Sequence, residues 1–259
     1  MSEVAGRLAG RTAFITGGGS GIGRALALSL AARGANVVVA VRRGHTGEET
    51  AELVKAEGGV CKSIEADCAS YEQLAAAVAE TERAFGGLDI MVHNAVLGHG
   101  TDRVPVETFP DDIWDRMVAV CLTGAYNCAH AGFRLLKESE HARFIAMTST
   151  FGVHGVSIDP GYSAIKSGTR GFVKALAREW GPHGITVNAI MPSALSQAAE
   201  DFFHNNPDIK RQYFKKFPLG HLGHVRDEIA EPIATLCEPQ FKFYTAGTLV
   251  LDGGMFTAL

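Results

Sequence analysis

The sequence predicts a single α/β domain in which a doubly wound parallel sheet of about seven strands is covered by helices on both faces. Short apolar runs alternate with longer amphipathic segments along all 259 residues. The apolar runs are continuous, which is typical of parallel strands that are buried on both faces. No shift in composition marks a linker, so residues 1–259 are expected to form one domain.

The predicted strands are short runs such as NVVVAV and GITVNAI, which contain several β-branched residues. In chain order they are 11–16, 36–41, 60–65, 88–93, 142–148, 184–190 and 247–251. The predicted helices lie near 21–33, 47–57, 70–86, 111–138, 160–180 and 226–237. A capping box of Thr46 and Glu49 is expected to open the second helix, and Pro160 suits the start of the fifth. Residues 192–225, rich in aromatic and charged side chains, are predicted to form a substrate-binding lid.

Composition excludes several classes of protein. The 24 basic residues are outnumbered by 28 acidic ones, and the net charge of −4 argues against a nucleic-acid-binding protein. The five cysteines form no C-x-x-C pair, and the ten histidines, expected mostly on the surface or in loops, show no metal-like spacing. The N-terminus lacks a secretory pattern, and the run VVVAV is too short to span a bilayer. We therefore expect a cytoplasmic protein with reduced thiols that binds no metal, nucleic acid or membrane.

The segment TGGGSGIGR at 16–24 follows the first predicted strand and opens the first predicted helix. Glycines there allow a tight turn and a close approach of the backbone to a phosphate, and the N–H groups of the following helix face the anion. A plain strand-to-helix turn would have similar glycines, but the position at this junction favours dinucleotide binding. The residues predicted to contact the cofactor in this segment are Gly17, Gly19, Ser20, Gly21, Ile22 and Gly23.

The end of the second strand bears on the choice of dinucleotide. An acidic residue at this place would hold a ribose 2′-hydroxyl, whereas the chain reads Val41-Arg42-Arg43. Two guanidinium groups suit a 2′-phosphate, so NADP is predicted in preference to NAD; the alternative is a pair of solvated arginines. Asp67, which follows the third strand, is predicted either to accept a hydrogen bond from the adenine amino group or to cap the helix that begins near Ser70.

Tyr162 and Lys166 lie four residues apart on the predicted helix 160–180, so their side chains share one face. A nearby ammonium group favours the phenolate, and Lys166 is therefore expected to lower the pKa of Tyr162 from its ordinary value of about 10. A tyrosine of this kind can donate or accept a proton near neutral pH. For a bare Tyr-x-x-x-Lys, a packed tyrosine with a lysine lying above it is the simpler explanation.

Over essentially its whole length the chain resembles the classical short-chain dehydrogenase/reductase family. The resemblance is carried by motifs at the right mutual spacing: Thr16-Gly17-x-x-x-Gly21-Ile22-Gly23, Asp67, Asn94-Ala95, Ser149, Tyr162-x-x-x-Lys166, Asn188-Ala-Ile-Met-Pro192 and Leu251-Asp252-Gly253-Gly254. It implies a Rossmann-like fold in which Tyr162 exchanges a proton with the substrate oxygen, Ser149 orients that oxygen, and Lys166 lowers the Tyr162 pKa and holds the nicotinamide ribose. The further cofactor contacts that it implies are Cys68, Asn94, Ala95, Tyr162, Lys166 and Pro192. A homotetramer is also implied.

Four positions depart from the family's pattern. They are Cys121 in place of an asparagine, Val96 in His93-Asn94-Ala95-Val96 in place of a glycine, Ser193 in place of the glycine after Pro192, and Gln197 in place of a threonine. The family's asparagine holds a water near the lysine, so a backbone carbonyl at a bend near Thr123-Gly124 is expected to replace it. Cys121 is expected to be a core residue on a stripe with Trp114, Met117, Ala125 and Cys128.

The leading hypothesis is an NADP-dependent oxidoreductase that interconverts a ketone and a secondary alcohol, with an apolar or cyclic small molecule as substrate. Aromatic residues of the lid are expected either to line the substrate pocket or simply to pack the lid: Phe202, Phe203, Tyr213, Phe214 and Phe217. One alternative is a 3-oxoacyl (carrier protein or CoA) reductase, whose acidic partner would meet Lys210, Arg211, Lys215 and Lys216. The other is a degenerate, non-catalytic dinucleotide-binding subunit, which the four departures suggest and the intact Ser149, Tyr162 and Lys166 oppose.

Overall fold

The chain folds around one seven-stranded sheet. The computed structural model describes residues 6–97, 105–157, 159–195 and 197–256, without the side chains of 197–199 and 202. The strands are β1 Thr12–Thr16, β2 Asn36–Val41, β3 Val60–Glu65, β4 Ile90–His93, β5 Arg143–Met147, β6 Thr186–Pro192 and β7 Thr248–Leu251. They lie in the order β3-β2-β1-β4-β5-β6-β7, and every neighbouring pair is parallel. The predicted doubly wound parallel sheet, a single Rossmann-like domain, is therefore confirmed.

Helices connect the strands. They are α1 Gly21–Ala32, α2 Gly44–Ala56, α3 Tyr71–Phe85, α4 Asp111–Met117, α5 Gly124–Glu138, α6 Phe151–His154, α7 Pro160–Trp180, α8 Gln197–Asn205, α9 Pro207–Phe214 and α10 Glu231–Leu236. Two π-helical turns, Val118–Thr123 and Val225–Ala230, lead into α5 and α10. Single 3₁₀ turns lie at Val106–Thr108, Gly181–His183 and Pro239–Phe241.

Two apolar cores lie on opposite faces of the sheet because side chains alternate along each strand. On β1, Phe14 faces one core and Ile15 the other, and both are fully buried. Leu74 of α3 and Val173 of α7 pack in the core with Phe14, as do residues of α5. Side chains from α1, α2 and α10 pack in the core with Ile15. Strands buried on both faces explain why the apolar runs in the sequence are continuous.

Several local expectations were wrong. The helix expected over 111–138 is interrupted by the π-turn Val118–Thr123, and α6 was not predicted. The expected capping box does not form: α2 begins earlier, at Gly44, and Thr46 Oγ1 donates to the Arg43 carbonyl at 2.9 Å. The irregular region 192–225 contains two helices, α8 and α9.

Most of the cysteines and two of the histidines are buried. All five cysteines are free, and four of them are buried. His93 and His141 are buried, with exposed fractions of 2% and 5%, whereas the other described histidines are exposed or half-buried, as expected for most of them. Among the described residues, no group of three or more His, Cys, Asp or Glu side chains is arranged for a metal ion. Within the same part of the chain, no helix has both the length and the apolar character to cross a membrane.

Candidate active site

One large cavity of about 830 Å³ opens at the carboxyl ends of the strands. The sheet order changes direction between β1 and β4, and parallel α/β sheets bind ligands in the crevice at such a point. Among the residues predicted for the site, those that line the cavity are Gly17, Gly19, Ser20, Gly21, Ile22, Arg42, Arg43, Asp67, Cys68, Asn94, Ala95, Ser149, Tyr162 and Pro192. Gly23 and Lys166, both buried, lie outside the lining.

The glycine-rich loop crosses from β1 to α1 in close contact with the end of β4. Gly17 has a φ of 66°, and a Cβ atom added to it would lie 2.9 Å from the Cα of Ala95. Asn94 fixes the loop from the other side, since its Nδ2 donates to the carbonyls of Thr16 and Gly17 at 3.1 Å each. The loop can therefore carry no side chain at position 17, and its backbone is held for close approach by a ligand.

A second set of contacts fixes the same loop to α2 and was not anticipated from the sequence. Arg24 Nη2 donates to the Gly19 carbonyl at 2.5 Å and to Glu49 at 2.8 Å. Thr50 Oγ1 donates to the Gly18 carbonyl at 3.0 Å and accepts from Arg24 Nε at 3.0 Å. Glu49 and Thr50 lie 25 and 26 residues beyond Arg24 in the sequence, so no local motif signals these contacts.

The far end of the cavity is basic. Arg42 and Arg43 follow β2, line the cavity and are solvent-exposed, and Arg43 takes the N-cap position of α2. Asp67 lines the cavity nearby, and its Oδ1 accepts the Ala69 N–H at 3.0 Å. The cap of α3 is Ser70, whose hydroxyl accepts from the Gln73 N–H. Of the two expectations for Asp67, capping of α3 is therefore wrong.

Ser149, Tyr162 and Lys166 come together at the other end. Ser149 follows β5, while Tyr162 and Lys166 lie in the first two turns of α7. The Tyr162 hydroxyl is hydrogen-bonded to the Ser149 side chain, and both residues line the cavity. Lys166 Nζ lies 5.5 Å from the centroid of the Tyr162 ring and donates to the Met147 carbonyl at 2.9 Å. The structure thus brings together the three residues that were predicted to be catalytic.

The electrostatics of this cluster correct one expectation. Burial raises the pKa of the Tyr162 phenol to about 12, and the hydrogen bond from Ser149 acts in the opposite direction without cancelling that effect. Burial also lowers the pKa of Lys166 from its ordinary value. The prediction that Lys166 brings the Tyr162 pKa below its ordinary value is therefore wrong for this structure. The reason is that desolvation of the phenolate dominates at a tyrosine that is only 8% exposed.

Cys121 lies beside the catalytic cluster, inside the π-turn Val118–Thr123. It is 2% exposed and packs in one apolar cluster with Met117, Tyr162 and Ile165, so its predicted place in the core is confirmed. Trp114, expected on the same buried stripe, is 41% exposed because the π-turn shifts the helical register between the two residues. The fourth departure, Gln197, falls outside the described side chains.

The region predicted to be a lid supplies part of the cavity wall. Phe203 and Tyr213 line the cavity, together with Ile209, Leu222 and Met255. Phe217 packs behind them in a cluster with Phe203 and Leu222, and Phe214 borders that cluster. Phe202 lies outside the described side chains. Of the five aromatic residues expected at the pocket, two line it, and the others described pack the region itself.

Comparison with known proteins agrees with this arrangement. A family model described as enoyl-(acyl carrier protein) reductase matches residues 17–256. An A-factor type γ-butyrolactone 1′-reductase of Streptomyces virginiae is 33% identical over 100% of both chains. The 3-oxoacyl-[acyl-carrier-protein] reductase FabG of Staphylococcus aureus is 31% identical, covering 95% of this chain and 98% of its own. A solved structure of a candidate short-chain alcohol dehydrogenase from Sinorhizobium meliloti 1021 superposes with a TM-score of 0.89 at 30% identity, covering 97% and 98% of the two chains.

The fold, the glycine-rich loop and the Ser149–Tyr162–Lys166 cluster define a dinucleotide-dependent oxidoreductase of the α/β class. The chain belongs to the short-chain dehydrogenase/reductase family. It is therefore an enzyme of the oxidoreductase type, in a family whose members use nicotinamide dinucleotides and act on small molecules.

Proposed function

We propose that the protein is an NADP-dependent carbonyl reductase or alcohol dehydrogenase that interconverts an apolar or cyclic ketone and the corresponding secondary alcohol. The observation that carries the proposal is that one cavity has a glycine-rich loop and two arginines at one end and the hydrogen-bonded Ser149–Tyr162 pair at the other. Such a cavity fits an extended dinucleotide with its reactive ring directed towards Tyr162. When bound, the nicotinamide supplies or accepts the hydride.

The residues of this chain would supply the proton and the geometry. Tyr162 donates its phenolic proton to the carbonyl oxygen in reduction and takes it back in oxidation. Ser149 hydrogen-bonds the same oxygen and holds it near Tyr162. Lys166, which is fixed to the Met147 carbonyl, places a positive charge 5.5 Å from the Tyr162 ring and stabilises the phenolate that reduction leaves behind.

The hydrogen-bond donors at the rim of the cavity suit the 2′-phosphate of NADP. Arg42 and Arg43 are solvent-exposed at the cavity rim where β2 ends, in the position from which a cofactor's 2′-phosphate is read. No acidic residue follows β2 to hold a 2′-hydroxyl. The carbonyl of Gly19 is held by Arg24, and the loop leads into the N-terminus of α1, an end of a helix that suits a diphosphate.

The substrate half of the cavity favours an uncharged molecule. Its apolar lining consists of Leu97, Phe151, Phe203, Ile209 and Met255, and Ser149, Tyr162 and Tyr213 add hydroxyl groups to the same lining. Among the described lining residues, none beyond Asp67 in chain order is charged. A carboxylate or phosphate on the substrate would have no charged partner here, whereas an aliphatic or cyclic ketone would bury its apolar surface.

A second candidate, reduction of 3-oxoacyl thioesters, is favoured by the names of the relatives and by the exposed Lys210, Lys215 and Lys216 at the outer face of α9 and the turn after it. A panel assay separates the two functions. We expect NADPH oxidation with cyclic and long-chain ketones, with kcat/KM at least tenfold above that for acetoacetyl-CoA. The reverse order would assign the thioester reaction, and no oxidation with either class would favour a non-catalytic subunit.

The direction of the reaction should set its pH dependence. Because the pKa of Tyr162 is raised to about 12, the phenol is protonated throughout the neutral range. Reduction needs the protonated phenol, so its kcat/KM should be flat between about pH 6 and 8. Oxidation needs the phenolate, so its kcat/KM should rise about tenfold per pH unit over the same range. Initial rates in both directions measure this, and a flat oxidative profile would contradict it.

The thiol of Cys121 should contribute little to turnover. Cys121→Ala keeps the backbone of the π-turn and removes a side chain that is a poor hydrogen-bond partner. We expect kcat to change by less than about tenfold, the worth of one ordinary hydrogen bond. Cys121→Asn, which restores the residue usual in the family, should leave kcat equal or slightly higher. A hundredfold loss in Cys121→Ala with NADPH binding intact would show that the thiol takes part.

We further propose that the enzyme is cytoplasmic and a homotetramer. The exposed face of α7 carries Gly171, where a Cβ atom would meet nothing within 4 Å. Such a surface allows another helix to approach closely. Light scattering on the purified enzyme gives the mass directly, and a monomer at micromolar concentration would remove the assembly from the proposal.

A further inference from the structure

His93 is a buried side chain that connects two parts of the site. It ends β4, is 2% exposed, and faces both the glycine-rich loop and the π-turn Val118–Thr123. Its Nε2 lies 3.0 Å from the carbonyl oxygen of Cys121, and its Nδ1 lies 3.2 Å from Thr16 Oγ1. The π-turn packs against α7, the helix that carries Tyr162 and Lys166. His93 is thus a direct hydrogen-bond partner of the Cys121 backbone.

The hydrogen bonds of the ring fix its tautomer. A carbonyl oxygen only accepts, so Nε2 carries the proton and donates it to Cys121. Burial and the positive charge of Lys166 lower the pKa of His93 to about 3, so the ring is neutral and Nδ1 is an acceptor. The Thr16 hydroxyl donates to Nδ1 and accepts the backbone N–H groups of Asn94 and Ala95, at 3.1 Å each. Each nitrogen of His93 therefore serves a different part of the site.

The buried carbonyl groups of the π-turn need hydrogen-bond donors from outside the turn. A π-turn shifts backbone hydrogen bonds from the α-helical pattern, and a carbonyl buried beside it needs a partner from elsewhere. Two side chains act at this turn. Cys68, in the segment after β3, has its Sγ 3.6 Å from the Val120 carbonyl oxygen, and His93, at the end of β4, donates to the next carbonyl, that of Cys121. Gly124 makes room for the ring, because a Cβ atom there would lie 2.9 Å from His93 Cε1.

We propose that His93 is a positioning residue for the reaction: through Nε2 it holds the Cys121 carbonyl and the π-turn against Tyr162 and Lys166, and through Nδ1 it holds the Thr16 hydroxyl at the cofactor end. The inference rests on the proposed function for its effect on turnover. At position 121, the inference assigns the positioning role to the backbone carbonyl that accepts from His93, and assigns none to the thiol.

Two substitutions separate the two nitrogens. His93→Gln places an amide donor near the position of Nε2 and lacks the group at Nδ1, whereas His93→Asn places its amide near Nδ1 and does not reach Cys121. For His93→Asn we expect kcat to fall about tenfold or more, with the Kd for NADPH within about threefold of wild type. For His93→Gln we expect the opposite: kcat within about threefold, and a Kd for NADPH raised severalfold.

Hydrogen exchange supplies a readout that does not depend on the substrate. Measured by mass spectrometry on the full chain, exchange across 118–124 should be at least about tenfold faster in His93→Asn and unchanged in His93→Gln. A purely structural role would shift kcat, Kd and exchange together in both variants, and would overturn the inference. So would unchanged exchange in folded His93→Asn. If His93→Asn does not fold, His93→Gln decides alone, since faster exchange at 118–124 in that variant overturns the inference.

The same design separates this inference from the proposed function. If the wild-type enzyme has no carbonyl reductase activity, the proposed function is refuted. Hydrogen exchange and NADPH binding would still test whether His93 stabilises the π-turn. An active wild-type enzyme whose two variants lose kcat equally would leave the function standing and refute the role of His93. The crossed pattern of kcat and Kd in the two variants is the result that we expect.

Discussion

Tyr162→Phe should lower the kcat of carbonyl reduction by at least about 10²-fold, while the Kd for NADPH stays within about twofold of wild type. Phenylalanine keeps the ring in its apolar cluster with Met117, Cys121 and Ile165, so the fold of the site is preserved. What it removes is the hydroxyl that is hydrogen-bonded to Ser149 and would donate the proton. Steady-state rates with a ketone from the active panel, together with a fluorescence titration of NADPH, measure both quantities.

Two further variants show whether the fall in kcat is specific to the hydroxyl of Tyr162. Tyr126→Phe makes the same chemical change at a side chain on α5 that is 54% exposed and outside the cavity lining, so it should leave kcat unchanged. Ser149→Ala should cost less than Tyr162→Phe, because it removes the orientation of the substrate oxygen but leaves the proton donor. If Tyr162→Phe retained most of the wild-type turnover, Tyr162 would not be the acid.

The second large effect concerns the cofactor. Wild-type enzyme should bind NADPH more tightly than NADH by about 1.5–3 kcal/mol, the worth of charge-assisted contacts to a phosphate. Combining Val41→Asp with Arg42→Ala should reverse this preference. The new carboxylate can accept a hydrogen bond from a 2′-hydroxyl and repels a 2′-phosphate, while one of the two exposed guanidinium groups at the rim is lost.

Isothermal titration of both cofactors against both proteins tests this directly. Arg134→Ala is a suitable control, because Arg134 is an exposed arginine on α5 that pairs with Glu82 and Glu138, away from the cavity. Its Kd values should match those of wild type. Equal Kd values for NADPH and NADH in the wild-type protein would mean that Arg42 and Arg43 are only solvated surface residues.

The sheet could be predicted because its signal is local. A strand such as Asn36–Val41 is read from six consecutive residues, and the structure places it at the predicted bounds. The glycine-rich segment is equally local, and both its ends meet the expected elements, β1 and α1. Residues of the site that belong to such motifs were therefore found: most of the predicted set lines the cavity.

Features that depend on distant partners could not be predicted. His93 contacts Thr16 and Cys121, which lie 77 and 28 residues away, and nothing in the local pattern around His93 signals either contact. The raised pKa of Tyr162 depends on how deeply α7 is buried, which the spacing of Tyr162 and Lys166 does not show. Trp114 was misplaced for a related reason, since the π-turn that changes its register is stabilised by side chains from β4 and from the segment after β3.

Transfer of deuterium tests the central claim most directly. The wild-type enzyme is incubated with NADPH deuterated at the transferable position of the nicotinamide and with a ketone from the active panel, and the alcohol is analysed by mass spectrometry. The proposed function predicts one deuterium on the carbinol carbon of a single enantiomer, at a rate at least about 10²-fold lower with Tyr162→Phe. An alcohol without deuterium, or equal transfer by wild type and Tyr162→Phe, would contradict the proposal that this cavity reduces a carbonyl with Tyr162 as the acid.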